Sequence, residues 1–182
     1  MPDQLLTIEE YRALGETDRG FTELVEGRIV PSPGAGRAHN LAACRLAAQL
    51  ERQLPRGLAF VLGTDLDLGL APPGEPGFAR RPDLLVFDRA AGEPIRADAV
   101  AVVIELVTPG SRRTDYRVKH DEYADAGIPH YWIVDLAEPV TLIACQGYQD
   151  GPAVTGTFAT SEPFPVELDL GALIGQHAGT AR

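Results

Sequence analysis

Runs of apolar residues, interrupted by clusters of turn-forming residues, divide the chain into many short elements. The runs at 100–107 and 130–135 are almost continuously apolar, which is typical of buried strands. Between them, residues 112–126 have a helical pattern that ends at Gly127, and Pro129 prevents its continuation. The centre of the chain is therefore predicted to contain two buried strands with a helix between them.

The other elements have local signals of their own. Thr7 and Glu10 have capping-box spacing, Glu26-Gly27 can form a hairpin turn, and residues 39–54 are rich in Ala and Leu at helical spacing. A period of two in the apolar residues indicates further strands. The predicted elements are a helix at 7–14, a hairpin across 21–30, a helix at 39–54, strands at 58–62, 65–70, 81–88 and 140–145, and short strands after 147 that lead into a helical turn near Ala172.

These elements predict a fold class of α/β or α+β, with one layer of central mixed β-sheet flanked by helices. The strands at 81–88 and 100–107 are expected to lie side by side. Because no linker or shift in composition divides the sequence, a single domain over residues 1–182 is expected.

Charge composition limits the partners that the surface can bind. Lys and Arg number 16 against 26 Asp and Glu, which gives a formal net charge of −10. The field of the whole molecule therefore repels polyanions unless positive groups gather locally. The sequence has neither a leader-like segment nor a run of roughly 20 apolar residues, so a cytoplasmic protein without a membrane partner is expected. Cys44 and Cys145 lack metal-ligand spacing and are expected to be small buried side chains.

Two acidic residues, Asp83 and Glu105, stand inside otherwise apolar strands. An ionised carboxylate in such a run is costly unless it is paired, bound to a metal, or placed at a strand end. In the following helix, Tyr116, Lys119 and Tyr123 share one face, which turns Lys119 inward. Two acids and an ammonium group at one sheet edge suit metal-dependent hydrolysis of a phosphodiester.

The same residues have a simpler interpretation, which spacing alone favours. A strand-borne carboxylate is more often solvated or salt-bridged than bound to a metal, and Lys119 can neutralise Glu105 as a fixed ion pair. The nearby arginines form either a local positive patch or a solvated charged face. These arginines are Arg80, Arg81, Arg112, Arg113 and Arg117.

Longer segments of the sequence match a known family. They are Arg81-Pro-Asp83, Ile104-Glu-Leu-Val-Thr-Pro109, Arg113-Thr-Asp-Tyr-Arg-Val-Lys119 and Tyr123-Ala-Asp-Ala-Gly-Ile-Pro-His-Tyr-Trp-Ile-Val-Asp135. In these segments the chain resembles the Uma-class family of restriction endonuclease-like proteins, formerly a domain of unknown function. Further matches at residues 23–30, at His39 and at residues 166–170 extend the resemblance over nearly the whole chain.

The resemblance implies membership of the PD-(D/E)XK nuclease superfamily, with a restriction-endonuclease-like mixed sheet flanked by helices. It implies that Asp83 and Glu105 bind Mg²⁺, for which Mn²⁺ could substitute, with the Leu106 carbonyl as a further ligand. The superfamily pattern expects a lysine two residues after the second acid, where this sequence has Val107. Lys119 in the next helix would supply that ammonium group.

The resemblance also brings Glu23 and His39 into the expected pocket. Glu23 would be a further carboxylate near the metal or a rim salt bridge. His39 would contact a phosphate or position water, or would be a hydrogen-bonded structural histidine.

The leading hypothesis is a Mg²⁺-dependent DNA endonuclease, expected to act as a homodimer because cleavage of both strands commonly uses two related sites. One alternative is a binding or dimerisation module that keeps the fold with weak or no catalysis, as the net charge of −10 suggests. A third is a small-molecule phosphodiesterase that uses the same pocket.

Overall fold

The computed structural model describes residues 5–15, 20–32 and 35–175. The α-helices in these ranges are α1 (Ile8–Ala13), α2 (Arg37–Glu51), α3 (Lys119–Asp125) and α4 (Leu170–Leu173), and a 3₁₀ turn (Ala97–Ala99) and a π-helical turn (Thr114–Val118) add to them. The strands are β1 (Thr22–Val25), β2 (Arg28–Pro31), β3 (Leu58–Leu62), β4 (Leu66–Asp67), β5 (Ala79–Arg80), β6 (Leu84–Asp88), β7 (Ile95–Arg96), β8 (Val100–Val107), β9 (His130–Asp135), β10 (Thr141–Gln146), β11 (Gln149–Asp150), β12 (Val154–Thr155), β13 (Thr157–Thr160) and β14 (Val166–Asp169).

A central mixed sheet organises the fold. Its strand order is β11-β10-β9-β8-β6-β3, and β12 pairs with β10 beside this path. β8 and β9 are parallel. β6 and β8 are neighbours, as the sequence predicts, and the structure shows that they pair antiparallel. A parallel pair needs a crossover connection, and the π turn with α3 supplies it.

Two apolar layers cover the central sheet. α2, α4 and the β13–β14 hairpin pack on one face, with Leu46 and Trp132 among the buried side chains. Tyr123 of α3 packs on the other face, together with residues of β4 and β7. Along β8, Ile104 belongs to the first layer and Val103 to the second, and alternation therefore places Glu105 on the α3 face.

The β1–β2 hairpin belongs to a second sheet, of order β2-β1-β5-β4-β7. Glu26 and Gly27 both have positive φ, at 49° and 74°, as a tight hairpin turn with right-handed strand twist requires. A Cβ on Gly27 would lie 2.8 Å from the Pro76 Cβ, so a side chain is excluded there. This turn, which the sequence predicts, fixes the register that aims Glu23 into the cleft described below.

Several sequence expectations are wrong in detail. The sequence predicts one sheet layer, but the β1–β2 hairpin and three two-residue strands form the second sheet. The strand expected at 65–70 ends after Asp67, because Gly69 adopts φ +63° and donates its N–H to the Asp67 carboxylate. The helix expected at 112–126 begins with a π turn, and Cys44 is exposed although Cys145 is buried. Within the described ranges no helix is long and apolar enough to cross a membrane.

Candidate active site

A cleft of about 600 Å³ opens at the edge of the central sheet, where β6 begins and β8 ends. α2 approaches it with its N-terminal turn, and the π turn and the start of α3 close the opposite side. All the site residues predicted from the sequence line this cleft. They are Glu23, His39, Asp83, Glu105, Leu106 and Lys119.

Asp83 lies directly before β6, where Pro82 has no N–H to continue the strand pairing. Its Oδ2 accepts hydrogen bonds from the Leu106 backbone N–H at 2.7 Å and from His39 Nε2 at 3.0 Å. Burial acts to raise the pKa of Asp83, but the hydrogen bond from His39 and its positive charge outweigh this and lower the pKa. Asp83 is therefore ionised at neutral pH.

Glu105 is 2% exposed, and each of its carboxylate oxygens has a separate environment. Oε1 accepts hydrogen bonds from Lys119 Nζ at 2.8 Å and from the Tyr123 hydroxyl at 2.9 Å. Oε2 receives the Asp83 backbone N–H at the longer distance of 3.3 Å. Burial, with the charges of Asp83 and Asp115 adding to it, raises the pKa of Glu105 to about 8 against the opposing effect of Lys119.

Lys119 is the chain's only lysine, and its side chain points inward, as the helical face predicts. Besides Glu105, its Nζ lies 3.6 Å from Glu23 Oε1 and 3.7 Å from Asp115 Oδ1. Burial acts to lower the pKa of Lys119, but the three carboxylates outweigh it and raise the pKa. The ammonium group therefore remains charged, and it donates a hydrogen bond to Glu105 whatever further role it has.

Arg80 forms an ion-pair network that sequence spacing does not reveal. Its guanidinium donates to Glu23 Oε2 at 2.8 Å and binds both Glu122 oxygens, at 2.5 and 2.6 Å. The Arg81 backbone N–H donates to the other Glu23 oxygen at 3.0 Å. Glu23 is thus fixed between β5 and Lys119, in a network that also ties α3 to the second sheet.

The π turn places Asp115 beside Lys119. Asp115 is 2% exposed, and burial raises the pKa of its carboxyl group. The Tyr131 hydroxyl donates to the Asp115 backbone carbonyl at 2.9 Å and anchors the turn on β9. The widened turn at this cleft agrees with the frequent occurrence of π-helical turns at functional sites.

The arginines do not form the free positive patch that the sequence allows. Arg80 is buried between carboxylates, Arg81 pairs with Asp65 at 2.9 Å, and Arg112 pairs with Asp135 at 2.5 Å. Among the described residues, Arg113 and Arg117 are exposed without an ion-pair partner. Few positive charges near the cleft are therefore free to offset the net charge of −10.

The cleft and its rim hold more negative than positive side chains. Five carboxyl groups, those of Glu23, Asp83, Glu105, Asp115 and Glu122, lie near Lys119, Arg80 and His39. Within the described part of the chain, Asp83 Oδ1 accepts no hydrogen bond, and Glu105 Oε2 accepts only the long one. Hard oxygen donors with excess negative charge fit a small divalent cation such as Mg²⁺.

The fold and this sheet-edge site define a restriction-endonuclease-like nuclease fold. A solved structure from Anabaena variabilis, described as a putative nuclease belonging to DUF820, superposes with a TM-score of 0.72 at 19% sequence identity, over 93% of this chain and 97% of that chain. The Uma2 family model, described as "Putative restriction endonuclease", matches residues 8–173. The chain therefore belongs to the Uma2 family, which confirms the resemblance seen in the sequence. Among curated proteins, none matches the chain.

Proposed function

We propose that this protein is a Mg²⁺-dependent endonuclease that hydrolyses phosphodiester bonds of DNA. The observation that carries the proposal is the convergence of Asp83, Glu105 and Lys119 in one cleft. Membership of a restriction endonuclease family and the nuclease-like fold support it. The hydrogen bond between Lys119 and Glu105 is compatible with this function, because it occupies Glu105 Oε1 and leaves Asp83 Oδ1 and Glu105 Oε2 for a metal.

The proposed metal ligands are Asp83, Glu105 and the Leu106 carbonyl. The N–H and carbonyl of one strand residue point to the same side, and the Leu106 N–H is directed at Asp83, so its carbonyl lies on that side too. When bound there, Mg²⁺ would polarise a phosphoryl oxygen and would activate a water molecule as the nucleophile. The chain itself holds the two acidic side chains close together, because the Asp83 backbone N–H donates a hydrogen bond to the Glu105 carboxyl group.

Lys119 would stabilise the negative charge that develops on the phosphoryl oxygens. An ammonium group has three N–H donors, and one of them binds Glu105 at 2.8 Å. Its contacts with Glu23 and Asp115, at 3.6 and 3.7 Å, are too long for hydrogen bonds. Two donors are therefore available to a phosphate that enters the cleft.

His39 would act by positioning Asp83 at the metal site. We expect His39→Ala to reduce cleavage and to weaken Mg²⁺ binding about 10- to 100-fold, the usual effect of removing the group that orients a ligand. Cleavage rates and Mg²⁺ titrations on the same preparations measure both effects. Glu51→Gln, at the exposed far end of α2, is the matched control. Unchanged Mg²⁺ affinity in His39→Ala would limit His39 to a structural role.

The stability of the metal-free protein is expected to fall as pH rises from about 4.5 to about 8, the ordinary and folded pKa values of Glu105. In that range the folded chain keeps a proton on Glu105 that the unfolded chain has lost, so higher pH favours unfolding. Urea unfolding at several pH values should give a smaller decrease for Glu105→Gln. Mg²⁺ should raise the wild-type unfolding midpoint more at pH 8 than at pH 6. Parallel pH profiles of the two proteins would refute this assignment.

A cleavage assay on supercoiled plasmid tests the proposed function directly. With Mg²⁺ or Mn²⁺, purified protein is expected to nick or linearise the plasmid, and EDTA should stop the reaction. Linear product without a nicked intermediate would indicate two sites acting together, as in a homodimer. Cleavage of a cyclic dinucleotide but not of DNA would favour the small-molecule alternative. Mg²⁺ binding without cleavage of either would favour the binding module.

A further inference from the structure

A second group of metal-ligating side chains lies on the α3 face of the central sheet. His120 comes from α3, Cys145 from β10 and Asp150 from β11, and the last two are cross-strand partners. A ligand atom from each, one nitrogen, one sulfur and one oxygen, lies within 4.8 Å of the other two. None of the three contributes to the lining of the nuclease cleft as described above.

The hydrogen bonding of His120 leaves one ring nitrogen without a partner. Its Nδ1 lies 3.2 Å from Asp121 Oδ1, and an ionised carboxylate only accepts hydrogen bonds, so Nδ1 carries the proton. In the neutral ring, Nε2 then presents a lone pair. Within the described residues this buried Nε2 has no hydrogen-bond partner, and the residue is only 9% exposed.

The lone pair of Nε2 faces other electron donors. Asp150 Oδ1 lies 2.9 Å from Nε2, but the two atoms do not have hydrogen-bond geometry. Two acceptors at this distance repel each other unless a cation lies between or beside them. A protonated imidazole would not satisfy the contact, because its N–H would not point at the oxygen.

We propose that His120, Cys145 and Asp150 bind a Zn²⁺ ion. Imidazole nitrogen, thiolate sulfur and carboxylate oxygen are the three ligand types that Zn²⁺ takes in proteins. Asp121 stands behind His120 as the hydrogen-bonded carboxylate that commonly orients a metal-bound histidine. A water molecule would complete the tetrahedron from the solvent side, where Asp150 is exposed.

The ion would fasten α3 to the β10–β11 edge of the sheet. α3 has only seven residues, too few to be stable as an isolated helix. Lys119 precedes His120 in the chain, so the ion would also fix the start of the helix that carries the ammonium group of the nuclease cleft. This consequence rests on the proposed function, whereas Zn²⁺ binding itself does not.

Cobalt titration tests the site, because Co²⁺ substitutes for Zn²⁺ and gives a charge-transfer band when bound to a thiolate. The protein is stripped of metal and carries Glu105→Gln, which disables the oxygen-ligand site in the cleft. We expect the band to saturate at one equivalent of Co²⁺ and to disappear when Zn²⁺ is added. Cys145→Ser should abolish it, whereas Cys44→Ser, at the exposed second cysteine, should leave it intact.

Two further variants keep the test decisive if Cys145→Ser fails to fold. Asp150→Asn changes an exposed side chain and should weaken Co²⁺ binding, and Asp121→Asn should weaken it about 10-fold or more. Zn²⁺ should raise the melting temperature of the Glu105→Gln protein. It should not raise the melting temperature of the double variant that carries both Glu105→Gln and Asp150→Asn. Absence of a thiolate band, or a band unaffected by Asp150→Asn, would overturn the proposal. A failure of DNA cleavage would leave this band unchanged, so the two proposals fail separately.

Discussion

Glu105→Gln is expected to reduce Mg²⁺-dependent DNA cleavage by on the order of 10³-fold, because it removes one of two proposed carboxylate ligands. A metal contributes several kcal/mol of charge stabilisation to such a reaction, and each 1.36 kcal/mol corresponds to a factor of ten in rate. The fold should survive, since Gln keeps the shape of Glu and can still accept from Lys119 and Tyr123. Asp83→Asn should have an effect of similar size.

Initial rates of plasmid nicking at saturating Mg²⁺, with the unfolding midpoint of each variant, separate catalysis from folding. Asp88→Asn is the matched control, because Asp88 lies at the other, exposed end of β6. Its rate should equal that of the wild type. Full cleavage by Glu105→Gln and Asp83→Asn would mean that the nuclease site lies elsewhere on the chain.

Lys119→Met is expected to impair both stability and cleavage. Removal of the Lys119 ammonium group leaves Glu105, Glu23 and Asp115 buried without their shared cation. Breaking a buried ion pair from one side costs about 3–5 kcal/mol, and loss of one charge-stabilising donor costs about 10²- to 10³-fold in rate. Urea unfolding and nicking rates measure the two effects, and Arg117→Met, at an exposed position two residues earlier, is the control.

The destabilisation by Lys119→Met should depend on pH. Without the ammonium group, the pKa values of Glu105 and Asp115 rise further above their ordinary values in the folded state. The folded variant then binds more protons than its unfolded chain, so its stability falls with rising pH. The deficit relative to wild type should therefore grow as pH rises above about 8, the folded pKa of wild-type Glu105, because the wild type releases that proton there and the variant does not. A deficit that is independent of pH would contradict the charge balance described for this site.

The parts of the fold with strong local signals were predictable from the sequence. β8 and β9 have the predicted bounds, because unbroken apolar runs ended by turn residues leave little choice of register. An acid inside the β8 run, together with the inward helical face of Lys119, was enough to predict their contact. The same reasoning could not choose between an ion pair and a metal site, since the two share this geometry.

Other features depend on distant parts of the chain and left no local signal. Arg80 and Glu122 are 42 positions apart, and their pairing follows from the packing of α3 on the second sheet. Strands of two residues are too short to show a period. Asp150 follows Cys145 by five positions, but the β10–β11 register that sets them opposite each other has no sequence signal, and packing of α3 brings in the distant His120.

The central claim is that Asp83 and Glu105 hold one divalent ion, and an anomalous-scattering map from a crystal soaked in Mn²⁺ tests it most directly. We expect an anomalous peak in the cleft within about 2.0–2.3 Å of an oxygen from each carboxylate, the range for hard octahedral cations. Lys119 Nζ should lie close to the ion without coordinating it. A cleft that stays without a peak at saturating Mn²⁺, with both carboxylates still bound to their present partners, would contradict the account.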